Sequence, residues 1–73
     1  MNKKLETSIV NSMLKECKNK QECNDWLDNK IKDSYSRAEN FRAMKNGIGV
    51  RVFYEEISTC SNIQALLDKY IKY

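Results

Sequence analysis

Along the first seventeen residues, Leu5, Ile9, Met13 and Cys17 recur every four positions, with Val10 and Leu14 beside them. Side chains three and four apart share one face of a helix, so this spacing predicts an amphipathic helix over 3–18. Lys15, Lys18 and Lys20 gather near its end, where cations suit the helix dipole. Asn19-x-x-Glu22 then resembles a capping box, with Asn in the place of Ser or Thr. Behind it Cys23, Trp26, Leu27, Ile31 and Tyr35 line one face, which predicts a second helix over 20–33. Trp26 is its expected core anchor, because one large aromatic side chain covers much of so small an interior.

After residue 33 the pattern has two readings. Ser36-Arg37-Ala38-Glu39 has the form of a capping box, which starts a new helix. Ala38, Phe41 and Met44 instead continue the stripe of the second helix and carry it through. The box tips the reading narrowly toward a break or kink. Either way a helix ends at Lys45-Asn46-Gly47, where Gly47 suits the left-handed position past a C-terminus. Next, Ile48, Val50, Val52 and Tyr54 alternate with Gly49, Arg51, Phe53 and Glu55, the period of a strand. Yet Val50, Phe53, Tyr54 and Ile57 have helical spacing. A lone strand leaves its backbone unpaired unless another chain or a second copy pairs with it, whereas a helix needs no partner. The two readings stand level. Ser61-Asn62-Ile63-Gln64 is a capping box of the form S-x-x-Q, and Ile63, Leu66, Leu67, Tyr70 and Ile71 follow on one face. It predicts a last helix over 62–72, packed on the first. The expected fold is mainly α: a single domain over 1–73 with three to four helices, and either helix or one short β-strand at 48–54.

Composition narrows the class. A chain of 73 residues buries only about 60% of the surface its unfolded form exposes, so one marginal core is all it can hold. A dinucleotide-binding domain, an eight-stranded α/β barrel or a separate substrate domain does not fit. Hydrophobic residues make up 41% and charged residues 32%, a globular balance, and the lack of proline with only two glycines favours helix. The three cysteines, Cys17, Cys23 and Cys60, cannot all pair within one chain. They form no C-x-x-C and there is no histidine to complete a zinc site, so three reduced thiols are expected. A Cys17–Cys60 or Cys23–Cys60 disulfide is the alternative in an oxidising compartment. No apolar run follows the charged start Met1-Asn2-Lys3-Lys4-Leu5-Glu6, and no apolar run is long enough to span a membrane. The chain is expected in the cytoplasm. Lysine outnumbers arginine ten to three and asparagine occurs eight times. Lys, Asn and Ile have AT-rich codons, which points to a phage, a plasmid or a low-GC bacterium as the origin.

The chemistry of catalysis is thinly supplied. Without histidine the usual proton carrier at neutral pH is missing, and a cysteine nucleophile lacks its usual base. Asp25 with Asp28, and Glu55 with Glu56, read as solvated surface charge. Asn46-Gly47-Ile48-Gly49 holds a lone G-x-G, weak as a phosphate loop. No enzymatic activity, cofactor or metal is expected.

What stands out is the distribution of charge. Residues 35–52 carry Arg37, Arg42, Lys45 and Arg51 against Glu39 alone, a local +3 that equals the net charge of the whole chain. All three arginines lie there, interleaved with Tyr35, Phe41, Phe53 and Tyr54. Arginine offers a planar, weakly hydrated donor fork, and arginine with aromatics is the composition of binding hot spots and of nucleic-acid surfaces. The candidate site is therefore Tyr35, Arg37, Phe41, Arg42, Lys45, Arg51, Phe53 and Tyr54. The plainer alternative of equal weight leaves Phe41 and Phe53 in the core and the arginines solvated.

Two functions compete for this stretch. In the first, a small protein of phage or mobile-element type regulates or inhibits a macromolecular partner by covering its acidic surface. In the second, Ala43-x-x-x-Gly47 is the turn of a helix-turn-helix over 37–58, with a recognition helix at 50–58, and the protein regulates transcription by binding DNA. Glu56 falls where that motif keeps an apolar residue, and Glu55 and Glu56 would face phosphates, so the second ranks lower. A homodimer, paired through a strand at 48–54, is compatible with either.

Overall fold

A computed structural model describes residues 3–71. The described residues form four helices: α1 (Lys3–Glu16), α2 (Lys20–Ala43), α3 (Gly47–Ala65) and a single turn, α4 (Leu67–Tyr70). The mainly α domain expected from the pattern is what the chain forms, and no strand occurs among the described residues.

α2 and α3 make a long antiparallel hairpin. As numbers rise along α2, their partners on α3 fall. The Gln64 side chain donates to Asp28 Oδ1 at 2.6 Å, Lys30 pairs with Glu56 at 3.4 Å, and Phe41 stacks on Phe53 with centroids 5.5 Å apart. The molecule measures 42 × 21 × 19 Å, the shape expected when a 24-residue helix, about 36 Å long, sets the long axis.

The break expected at 34–36 is absent, and α2 runs through it. Ser34 and Ala38 are buried on the same stripe as Phe41. Facing α3, these small residues serve packing, and the box at Ser36 has no helix start to cap. The segment 48–54, level between strand and helix, is helix inside α3. α2 supplies an apolar face for Phe53 and Ile57 to cover, whereas a strand would have had no pairing edge in this chain. The box at Ser61–Gln64 does not start a helix either. Thr59, Cys60 and Ile63 are buried together, so α3 continues past it, and Gln64 reaches across to α2 instead of back to Ser61. The helix expected over 62–72 is therefore the end of α3 plus the short α4, and residue 72 lies outside the described residues.

The caps are local and explicit. Asn19 Oδ1 accepts from the Glu22 amide at 2.9 Å, starting α2 where the sequence places it. α1 ends at Glu16, two residues earlier than the stripe suggests. At the other end of α2, Asn46 N–H donates to the Phe41 carbonyl at 2.8 Å and Lys45 N–H to the Arg42 carbonyl at 3.0 Å. This is a Schellman ending. Its left-handed residue is Lys45, with φ 56°, and not Gly47, which is already in α3. Asn46 then caps α3, its Oδ1 accepting from Gly49 N–H at 3.1 Å.

The core lies at the end of the hairpin away from the α2–α3 turn. Ile9, Val10 and Met13 of α1, with Cys17 just past its end, meet Cys23 and Leu27 of α2 and Cys60 and Ile63 of α3, with Leu67 and Ile71 closing the bottom. Met13, Leu27 and Ile63 are the largest side chains shut off from water. Trp26, the expected anchor, is half-buried at the rim. Its indole N–H donates to Glu16, and Lys30 lies 5.7 Å above its ring. A buried indole needs a hydrogen-bond partner, and the rim provides one. Tyr70 Oη donates to Glu6 at 2.8 Å, tying α4 to α1.

Candidate binding surface at the hairpin tip

Beyond this core α2 and α3 are the only elements among the described residues. Between residues 35 and 58 only Ala38 is buried. The tip is two helices thick, and its apolar residues have one neighbouring helix to cover them. Tyr35, Met44, Ile48 and Val52 are consequently exposed.

The candidate residues of 35–54 all fall in this tip, but they do not share one surface. Phe41 and Phe53 face each other between the helices and are half-buried. They hold the hairpin together. Gly49 makes their packing possible: a Cβ there would lie 2.6 Å from Phe41 Cδ1. Tyr35 meets Tyr54 edge to face at 6.1 Å between centroids. Arg42 crosses to the same tyrosine, its guanidinium donating to Tyr54 Oη and lying 5.8 Å from the ring centroid. Arg42 also pairs with Glu39 at 3.4 Å. One flank of the tip is thus Tyr35, Tyr54 and Arg42, with Lys45 at the turn beside it.

Arg37 is turned about 140° from Arg42 around α2 and belongs to the other flank. It is held by Asp33 at 2.9 Å, within its own helix. Arg51 stands on the outer face of α3 with Gly47, Ile48, Val52 and Glu55, around an open depression of about 390 Å³. A second depression of about 280 Å³ lies at the turn between Arg42, Lys45, Asn46, Gly47 and Val50. The sequence showed that charge and aromatics concentrate here. It missed Met44, Ile48 and Val52 as the apolar part of the surface, because their exposure depends on how far the core reaches.

The groups with displaced titration lie elsewhere. Burial pushes the Cys60 thiol up to about 11. It does the same for Cys23, where Cys17 adds to the rise. All three cysteines are free and buried. Tyr70 is raised by its hydrogen bond to Glu6. No group of three or more His, Cys, Asp or Glu that could hold a metal ion occurs among the described residues, and no helix among them is long and apolar enough to cross a membrane. No family model matches this chain, no curated protein matches it in sequence, and no solved structure matches it in fold.

Proposed function

We propose that this is a small non-enzymatic cytoplasmic protein of phage or mobile-element type. It regulates or inhibits a macromolecular partner, a protein with an acidic surface, through the tip of the α2–α3 hairpin. The observation that carries the reading is the coincidence of two boundaries. Between residues 35 and 58 the core reaches only Ala38, and all three arginines lie in that stretch with four large exposed apolar residues, Tyr35, Met44, Ile48 and Val52. Apolar area with arginine and tyrosine at its edge is the make-up of a binding hot spot. The conformation of Lys45 adds support. It occupies a left-handed position that glycine adopts without strain, as suits a residue wanted for its charge at the turn. A non-catalytic role fits a chain whose only thiols are buried and held protonated.

The DNA-binding reading draws less support. Helix-turn-helix motifs cross their helices at about 90–120°, whereas α2 and α3 lie alongside each other from Phe41–Phe53 down to Asp28–Gln64. Capture from source-cell lysate on immobilised chain, with and without nuclease, separates the two. Wild type should retain a protein partner after nuclease treatment. The double variant Arg42→Ala, Lys45→Ala should lose it by about tenfold or more, the scale of a few charged contacts, with its helical circular dichroism intact. Retention that nuclease abolishes favours DNA, and undiminished retention by the double variant sinks the tip as the site.

A further inference from the structure

Ile48, Val52, Thr59 and Ile63 fall on one stripe of α3, at spacings of four, seven and four. Thr59 and Ile63, in the half of the hairpin that α1 covers, are 2% and 1% exposed, while Val52 and Ile48 are 49% and 81% exposed. One helix face is therefore covered at one end and bare at the other. Beside the bare end stand Arg51 and Glu55, one turn apart and opposite in charge. Among the described residues neither has an ion pair, whereas Arg37 and Arg42 each hold a carboxylate.

We propose that this bare end of α3 docks on the same face of a second copy of the chain, with the two helices antiparallel about a two-fold axis. The charges select the occupant. On this outer face of α3, apart from the flank of Arg42 and Lys45, an acidic partner would meet Glu55 and a basic one Arg51, but an isologous contact matches each with the other. The register that sets Arg51 opposite Glu55 of the second copy sets Ile48 opposite its Ser58, a small exposed residue that leaves room for the larger one. It also brings the two Val52 side chains beside the axis. Each pairing then occurs twice. The proposal does not rest on the partner reading above, since it needs only α3 and a second copy. Three helical turns bury a few hundred Å² on each copy, below the roughly 800 Å² per partner of a stable interface, so the dimer is weak and depends on concentration.

Sedimentation velocity under reducing conditions tests this on the full chain, from about 10 μM to about 1 mM, the range where weak dimers form. The wild type should pass from monomer toward dimer. Arg51→Glu and Glu55→Arg should each weaken association about tenfold or more, because each sets like charges across the axis twice. The double reversal R51E/E55R should restore it to within about threefold, since both pairs re-form in the opposite sense. Ile48→Asp should abolish it while the circular dichroism stays unchanged, as the residue is not part of the core. A wild type that stays monomeric throughout overturns the proposal. So does a double reversal that associates no better than the single variants.

Discussion

The two halves of the α2–α3 hairpin are made of the same two helices and yet are held together differently. In the lower half, α1 and the α4 turn complete a core in which Met13, Cys23, Leu27, Cys60 and Ile63 are sealed from water. In the upper half no other described element lies over the pair, and cohesion comes from the Phe41–Phe53 stack, the small residues Ala38 and Gly49, and the Arg42–Tyr54 contact. A helix pair with one neighbour apiece cannot bury side chains on its outer faces. The lower half is where the chain secures its fold, and the upper half is where it can present apolar and charged groups together. Local opening should follow the same division, since regions with few buried apolar contacts unfold at lower free energy.

The largest break in this comparison should come from alkaline pH, through the buried thiols of the lower half. The Cys23 and Cys60 thiols have an ordinary value of 9.0 and are pushed up to about 11 in the fold, chiefly by burial. The sign follows from linkage. Below 9.0 both forms of the chain keep these protons, and the full stabilisation is present. As pH rises from 9.0 toward 11 the unfolded chain loses the protons first, so stability falls. Tyr70, raised by Glu6, acts in the same direction. Urea midpoints measured from neutral pH to pH 11 should decline over that window. In a Cys60→Ala variant the decline should be shallower, although the starting midpoint is lower. An equal slope in both would mean the thiols are not the cause.

Next in size is the difference between two aliphatic truncations. Leu27→Ala removes a side chain with no exposure and should cost about 3.5 kcal/mol, the middle of the range for buried leucines. Ile48→Ala removes as many carbons from the tip and should change stability by less than about 0.5 kcal/mol. Equal losses in chemical denaturation would show the tip to be as tightly packed as the core.

The fold was largely legible in the sequence because its strongest signals are local. The four-residue stripe from Leu5 to Cys17 and the cap at Asn19 depend on residues next to one another, and both are where the pattern puts them. Capping boxes at Ser36 and Ser61 misled for one physical reason. A serine followed three residues later by Glu or Gln caps a helix only if the chain stops being helical there, and packing of Ser34, Ala38, Cys60 and Ile63 keeps it helical. The strand-like alternation at 48–54 was settled by a face on α2 that no short window contains. The candidate site was legible as a location and not as a surface. Phe41 and Phe53 turn inward, and Arg37 and Arg42 leave on opposite flanks. That division depends on α2 running unbroken through residue 36, the point at which a break was expected.

The smallest effect is the sharpest test of how the tip is held, because two glycines two residues apart should answer in opposite directions. Gly47 begins α3 with nothing within 4 Å of the place a Cβ would take, and its φ is not positive. Gly47→Ala should therefore stabilise the hairpin by up to about 0.5–1 kcal/mol, the helix preference of alanine over glycine. At Gly49 the same methyl group would fall 2.6 Å from Phe41 Cδ1 and 2.7 Å from Cγ. Those atoms lie near the root of the ring and cannot swing clear without disturbing the stack on Phe53. Gly49→Ala should destabilise by about 1–2 kcal/mol despite the same gain in propensity. Replacing Phe41 with Leu in the Gly49→Ala background removes the ring and should recover part of that loss. If thermal unfolding shifts both glycine variants the same way, the close approach of α3 to Phe41 is not what holds the tip. If the signs differ, the upper half is a specific contact built on one glycine and one ring, and its outer surface is a fixed one.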